Sequence, residues 1–346
     1  MKDPAVAIAA VILFSLIIYA LSGGADFGGG VLDLIAFGPR AREQRRAIAE
    51  AIGPIWEANH IWMILIVVLL FSAFPSVFSA ISIALVVPLN VMLIGIILRG
   101  SAFIFRRHSS PGGQRGISWG DVFAASSVVT PVALGVIVGS IASGGVQEIS
   151  SGMMSLNLWD AWLSPFPLAI GFLTVALFTF LAAVYLTVEV QEPELKEDFR
   201  LRALASGIVI GLLAWLCYFL AGRGAPLIRL GLEKSSWSIL FQIITAIVSG
   251  GALWALWLRY FRLARILAVL ETVFVILGWG LSQYPYILPP TVTFEEAAAS
   301  ASVLRPLLGA LLVGVVVLIP SFVFLFWVFK GNALPVRSKA GSNNAP

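Results

Sequence analysis

The chain has 346 residues, 59% hydrophobic and only 12% charged, with a formal net charge of +4 and a mean hydropathy of +0.97. A soluble domain carries about 25% charged residues, so a water-soluble globular protein is excluded and an integral membrane protein is indicated. Cys217 stands alone in an apolar run, which excludes a disulfide framework or a CxxC site. Two histidines, His60 and His108, are too few for a self-contained haem or metal protein, and the basic balance reads as a topology signal before it reads as nucleic-acid binding.

Hydrophobic stretches long enough to span a bilayer fall at about nine places: 6–35, 51–74, 77–98, 122–141, 167–186, 203–220, 237–258, 266–281 and 307–329. The sequence therefore predicts an all-α polytopic membrane protein with nine transmembrane helices. A β-barrel is excluded, because barrel strands alternate polar and apolar residues over about ten positions. Residues 1–330 form one transmembrane domain in this reading, and 331–346 a short, small-residue tail without a core. Ala20-Leu21-Ser22 resembles a cleavage site, but Lys2 is followed at once by Asp3 and apolar sequence resumes after the glycines, so the first helix is read as retained.

Most lysines and arginines cluster in alternate loops. Arg40, Arg42, Arg45 and Arg46, then Arg99, Arg106, Arg107 and Arg115, then Lys196, Arg200 and Arg202, then Arg259, Arg262 and Arg265, and finally Lys330, Arg337 and Lys339 share one side. Lys2, Arg223, Arg229, Lys234 and Arg305 hold the other. The bias places the amino end outside and the carboxyl end in the cytoplasm. The Ser143–Ser164 loop, without Lys or Arg, is then external, with Trp159 and Trp162 as interfacial anchors.

The second span opens on Gly53-Pro54-Ile55-Trp56-Glu57-Ala58-Asn59-His60-Ile61-Trp62. A carboxylate that far into an apolar run costs a few kcal/mol unless it is neutral, paired or facing water. At about 1.5 Å per residue, Asp26 lies about 18 Å and Glu57 about 16 Å from the cytoplasmic side, whereas Asp33 and Glu50 lie about 7 Å and 6 Å in. Each pair is spaced i, i+7 and shares a helix face, so two neighbouring antiparallel helices offer a shallow tier and a deep tier of acid. Asp33 and Glu50 read as headgroup-level charges paired with Arg40 or Arg46. Asp26 and Glu57 read as functional, a proton path that enters from the cytoplasm and ends inside the membrane; Glu271 shares that half. His60 reads first as structural, and Trp56 and Trp62 as packing residues or an aromatic wall. The glycines around Asp26 permit either close helix packing or a local break that solvates the carboxylate. Arg99 and Arg106 snorkel by default, with Arg99 able to reach an internal carboxylate. Pro88, Asn90 and Thr130-Pro131 mark kinks, and the segment 283–290 a rigid turn.

The run from Gly53 to Trp62 resembles the helix-2 signature of subunit II of cytochrome bd-type quinol oxidases. Asp26-Phe27-Gly28-Gly29-Gly30, Leu98-Arg99, Phe105-Arg106 and Tyr284-Pro285-Tyr286 agree with it, most closely over residues 22–106. The resemblance implies a haem-bearing subunit I as partner, often a very small third subunit, and a complex that oxidises quinol and reduces oxygen to water in a bacterial or archaeal cytoplasmic membrane. Haem b and haem d-type groups belong to the partner; this chain ligates no cofactor, although some members bind a quinone. Asp26 matches the family's helix-1 acid and Glu57 its helix-2 acid, the inner station framed by Trp56, Asn59 and Trp62, with His60 and Arg99 as support. Two departures stand out. Gly23 replaces a second helix-1 acid, and Glu57-Ala58 stands where Asp-Gly is common, which leaves either a reduced route or one relayed by Ser22 and water. The alternative from another class is a proton-coupled secondary transporter, which would need a second broken helix in the latter half.

Overall fold

A computed structural model describes residues 4–52, 56–108, 118–146 and 159–330. The tail and most of the Ser143–Ser164 loop lie outside the described residues. The chain is almost wholly helical: α1 (Pro4–Leu34), α2 (Ala41–Ile52), α3 (Trp56–Asn59), α4 (Ile61–Ala73), α5 (Pro75–Ala84), α6 (Val86–His108), α7 (Trp119–Ser143), α8 (Pro165–Glu189), α9 (Pro193–Gly224), α10 (Pro226–Lys234), α11 (Ser238–Trp257), α12 (Phe261–Gln283), then α13 (Phe294–Ala297) and α14 (Ala301–Lys330). A two-stranded antiparallel ribbon, β1 (Tyr286–Leu288) and β2 (Val292–Thr293), forms the turn expected after α12.

Eight single helices among the described residues are long and apolar enough to cross a membrane. Glu57–Ala73 and Pro75–Ala84 pass the same test only as a pair bent by 118°, which makes nine crossings if the pair counts as one span. The bend corrects the expected third span. Pro75 has no N–H to donate and restrains the residue before it, and Phe74 takes φ −135°, ψ 61°. The chain therefore turns across the bundle end before α6 re-enters at Val86. That helix runs on to His108, so Arg99 and Arg106 lie within it rather than beyond it. Near its start, the Asn90 side-chain amide donates to the Val86 carbonyl at 2.7 Å, covering an acceptor in the turn that Pro88 disturbs.

Of the acids of the second span, Glu50 lies on α2 and Glu57 on α3, and residues 53–55 between them lie outside the described residues. The α2 segment is polar on one side and lies beside the ends of α1 and α8.

The most enclosed helix is α8: 61% of its most apolar window is buried inside the chain, against none for α14. Small residues explain this, since without a hydrophobic drive between helices in lipid, close backbone approach does the packing. The largest core cluster gathers around Leu177, Phe180, Leu181 and Val184 of α8, with Leu32, Phe123 and Phe199 from its neighbours. The Gly24–Gly30 run of α1 stays helical, which decides between packing and a break. A Cβ at Gly24 would lie 2.6 Å from the Phe178 ring, and one at Gly28 would collide with the Phe178 carbonyl. A second cluster, with Phe74, Val77 and Leu85 under Leu288 and Leu304, seals the end where α5 lies.

Candidate functional site

Asp26 sits where α1 passes the α3–α4 junction. Asn59, buried at the end of α3, donates its amide to Asp26 Oδ2 at 2.6 Å. From α6, Arg99 Nη2 donates to the Asp26 backbone carbonyl at 2.8 Å. Arg99 is only 2% exposed, and its guanidinium lies 4.8 Å from the Phe27 ring centroid and 5.2 Å from that of Phe123. It does not snorkel. Asp26 is itself only half-buried; its charge offsets part of the desolvation cost of the buried Arg99 guanidinium, which alone would cost several kcal/mol. Arg99 Nε has no hydrogen-bond partner among the described residues.

Two turns along α1 towards its start, the Tyr19 hydroxyl is 3.4 Å from His60 Nδ1, and the His60 ring stands edge-on to Phe27. His60 is thus tied into the α1–α4 packing, as its structural reading expects. Trp62 packs edge-on to Phe14 and stacks on Phe322 of α14, which makes it a packing residue. The side chain of Trp56 lies outside the described residues. Glu57 is exposed on the surface of the chain and has no ion-pair partner among the described residues. The structure therefore brings Asn59, rather than Glu57, onto Asp26, and leaves Glu57 on the chain's outer face two residues away.

The shallow acids divide. Glu50 pairs with Arg46 at 2.8 Å on the exposed side of α2, as expected. Asp33 does not pair with Arg40 or Arg46; it is 4% exposed and takes a two-pronged bond from Arg106, at 2.9 and 3.1 Å. Arg40 instead forks onto Asp198 at 2.7 and 2.9 Å. Arg106 can stay inside the helix because this planar, bidentate partner replaces water. Glu271 is buried in α12 beside Ser249.

A cavity of about 290 Å³ joins the deep carboxylate to the edge of the bundle. Asp26 and Asn59 line its inner end, Ser22 and Tyr185 its wall, and Glu189 and Arg265 its mouth. At that mouth Arg265 Nη1 stands 3.7 Å from Glu189 Oε1, both side chains well exposed. The Ser22 hydroxyl donates to the Ile18 carbonyl at 2.8 Å, which leaves its lone pairs free to accept, and the Tyr185 hydroxyl reaches the Leu21 carbonyl at 3.4 Å. The mouth opens on the side that carries the Arg40–Arg46 and Arg259–Arg265 clusters. Ser22, Tyr185, Glu189 and Arg265 interrupt a lining that is otherwise mostly apolar.

Sequence reasoning missed Tyr19, Tyr185, Glu189 and Arg265. Tyr19 and Asp26 are spaced i, i+7, the same signal that grouped the acids, and could have been found. Glu189 closes an apolar run, where a charge reads as an ordinary interfacial residue. No group of three or more His, Cys, Asp or Glu among the described residues is placed to hold a metal ion.

The family model described as cytochrome bd terminal oxidase subunit II matches residues 4–329. A Bacillus subtilis (strain 168) protein provisionally named as subunit II of a cytochrome bd menaquinol oxidase is 26% identical over 334 residues, 93% of this chain and 94% of that protein. Subunit 2 of the Escherichia coli (strain K12) cytochrome bd-I ubiquinol oxidase is 29% identical over 211 residues, 60% of this chain and 53% of its own length. In fold, the chain is similar to one in the structure of the bd oxidase from Geobacillus thermodenitrificans, with a TM-score of 0.77, 22% identity, and coverage of 95% of this chain and 99% of that one.

Proposed function

Because the chain belongs to the cytochrome bd terminal oxidase subunit II family, and is thus a multi-pass membrane subunit of a quinol oxidase, we propose that it delivers protons through Asp26 and Glu57 to the haem-bearing partner. The observation that carries this reading is the cavity of about 290 Å³ from the Glu189–Arg265 mouth to Asp26.

Each residue has a part in that path. Arg265 and Glu189 keep the mouth polar and hydrated. Ser22 stands where the passage narrows toward Asp26 and serves as the acceptor that the missing acid at Gly23 would have supplied. Asn59 holds Oδ2 of Asp26 and so orients the carboxylate that takes up and releases the proton. Glu57, at the chain surface and two residues from Asn59, hands the proton across the subunit boundary. Its exposure is the arrangement an exit requires.

In this reading the mouth faces the bacterial cytoplasm. The complex oxidises quinol and reduces oxygen to water, with a very small third subunit completing it. Haem b and haem d-type groups sit in the partner, where they supply the electron and oxygen chemistry. The donors here do not fit a haem: His60 is engaged with Tyr19, and no group of three or more His, Cys, Asp or Glu among the described residues is placed to hold a metal. A bound quinone has no part in the path through this chain. The transporter reading is set aside, since the family covers nearly the whole chain and the one sharply bent span, at Phe74, has no counterpart among the described helices of the second half.

Replacing Glu57 by Leu, or Asp26 by Asn, should lower quinol-dependent oxygen consumption by roughly 10²-fold, the usual contribution of a positioned proton-transfer group. Haem content should stay normal, and Glu57→Asp should restore much of the rate. Full turnover by either variant in a complex of normal haem content would overturn the reading.

A further inference from the structure

The turn between α11 and α12 is closed by an arginine in a conformation that disfavours it. Arg259 has φ 61°, while its N–H reaches the Leu256 carbonyl at 3.1 Å and the Tyr260 N–H reaches that of Ala255 at 2.8 Å. A left-handed helix ending of this kind is usually glycine, because an L side chain there meets the following carbonyl. A residue kept against that penalty is a pointer to what its side chain does.

The side chain lines a cavity of about 610 Å³ between this turn and the link from α8 to α9, together with Lys196, Arg262, Tyr260, Thr187 and Gln191. The acidic groups around it do not neutralise these cations. Glu197 is 3.3 Å from Arg259, but it also holds Arg200 in a closer contact. Glu189 is already opposite Arg265. Lys196 and Arg262 have no carboxylate within ion-pair distance among the described residues, and the Lys196 ammonium rests 5.9 Å over the Phe261 ring.

The position selects the ligand. A turn joining two membrane-spanning helices lies at the membrane boundary whichever way the chain is inserted. Tyr260, Trp254 and Trp257 are exposed around it, the aromatic signature of headgroup depth. Retention of arginines on one side of a membrane needs net charge only; it needs neither a concavity nor a disfavoured backbone. Basic pockets between helix ends at this depth take phosphate-bearing headgroups.

We propose that the cavity between the α8–α9 and α11–α12 turns binds the phosphate of an anionic phospholipid, whose acyl chains lie along the exposed face of α11. A free phosphate has the same headgroup chemistry but would make no use of that apolar face.

The test uses the whole complex, purified through a tag on this chain, delipidated, and presented with phosphatidylglycerol, phosphatidylcholine or inorganic phosphate before native mass spectrometry. Wild type should retain phosphatidylglycerol over phosphatidylcholine. Retention should fall about fivefold for each cation removed, in Arg259→Gly and in Lys196→Gln/Arg262→Gln. Glycine suits the turn better than arginine does, so Arg259→Gly keeps the fold, and unchanged haem content and melting confirm this for both variants. Equal retention of phosphatidylglycerol by wild type and both variants, or equal retention of the two lipids by wild type, would overturn the proposal. Displacement of the lipid by inorganic phosphate at the same concentration would also overturn it, in favour of a soluble phosphate ligand.

Discussion

The Asp33–Arg106 pair yields a prediction whose sign depends on which partner is removed. The Asp33 side chain is 6% exposed and that of Arg106 32%. Arg106→Gln strands a carboxylate in a nearly dry site, and losing one partner of a buried pair costs about 3–5 kcal/mol. The Arg45 guanidinium, which reaches the Asp33 carbonyl at 3.4 Å, offsets part of this, so a cost of about 3 kcal/mol is expected. Asp33→Asn leaves instead a half-buried guanidinium on a long stem, which can swing to a headgroup or water; about 1 kcal/mol is expected. Asp33→Leu combined with Arg106→Met removes both charges and their desolvation, and should fall within about 1 kcal/mol of wild type. Thermal loss of the haem spectrum in the purified complex ranks the three variants, with the Arg106→Gln midpoint lowest by several degrees. Turnover per haem should be unchanged throughout, because this pair lies off the cavity. An Asp33→Asn variant less stable than Arg106→Gln, or a double variant less stable than either, would refute the argument.

The cavity itself can be closed. Ala25 and Ala182 line it from facing helices, and Ala25→Leu or Ala182→Phe should each reduce oxygen consumption by about tenfold or more in complexes of normal haem content; undiminished turnover in both would separate the cavity from proton delivery. Outside the membrane, Glu296 accepts from the Thr293 N–H at 2.9 Å and its hydroxyl at 2.8 Å, and these bonds hold its carboxyl below the ordinary carboxylate range. A lowered pKa means that the contribution is complete above the unfolded value of about 4.3 and is lost as pH falls through the folded one. The difference in melting midpoint between wild type and Glu296→Gln should therefore be present at neutral pH and vanish on acidification below about pH 4; a difference that persists in acid would contradict it.

What the sequence made legible was mostly what length and apolarity specify. Eight of the expected crossings correspond to helices, with starts displaced by two residues at Pro165, five at Phe261 and ten at Pro193. The misread place has a simple cause. At Phe74–Pro75 the apolar run continues while the backbone turns, and hydropathy does not register direction; residues 53–55 lie outside the described residues. The acids were found for the right reason, since a carboxylate among apolar residues requires a partner. The partners were not legible, because Asp26–Asn59, Asp33–Arg106 and Glu189–Arg265 join residues 33, 73 and 76 positions apart. Spacing along one helix says nothing of which face of another it meets.

The placement of Glu57 carries the strongest link between fold and assembly. A carboxylate on the outer surface of a chain, within the membrane-crossing part of it, is costly against acyl chains. The cost vanishes if that surface is not a lipid surface. The same broken span carries Trp62, which stacks on Phe322 of α14, the one long helix whose apolar window is wholly unburied by its own chain. An apolar helix left unburied by its own chain, on the side of the bundle that Trp62 faces, is the surface that the proposed reading assigns to the partner subunit. On the proposed path, a proton that reaches Asp26 would have only the turn of α3 to pass before Glu57 at the chain surface.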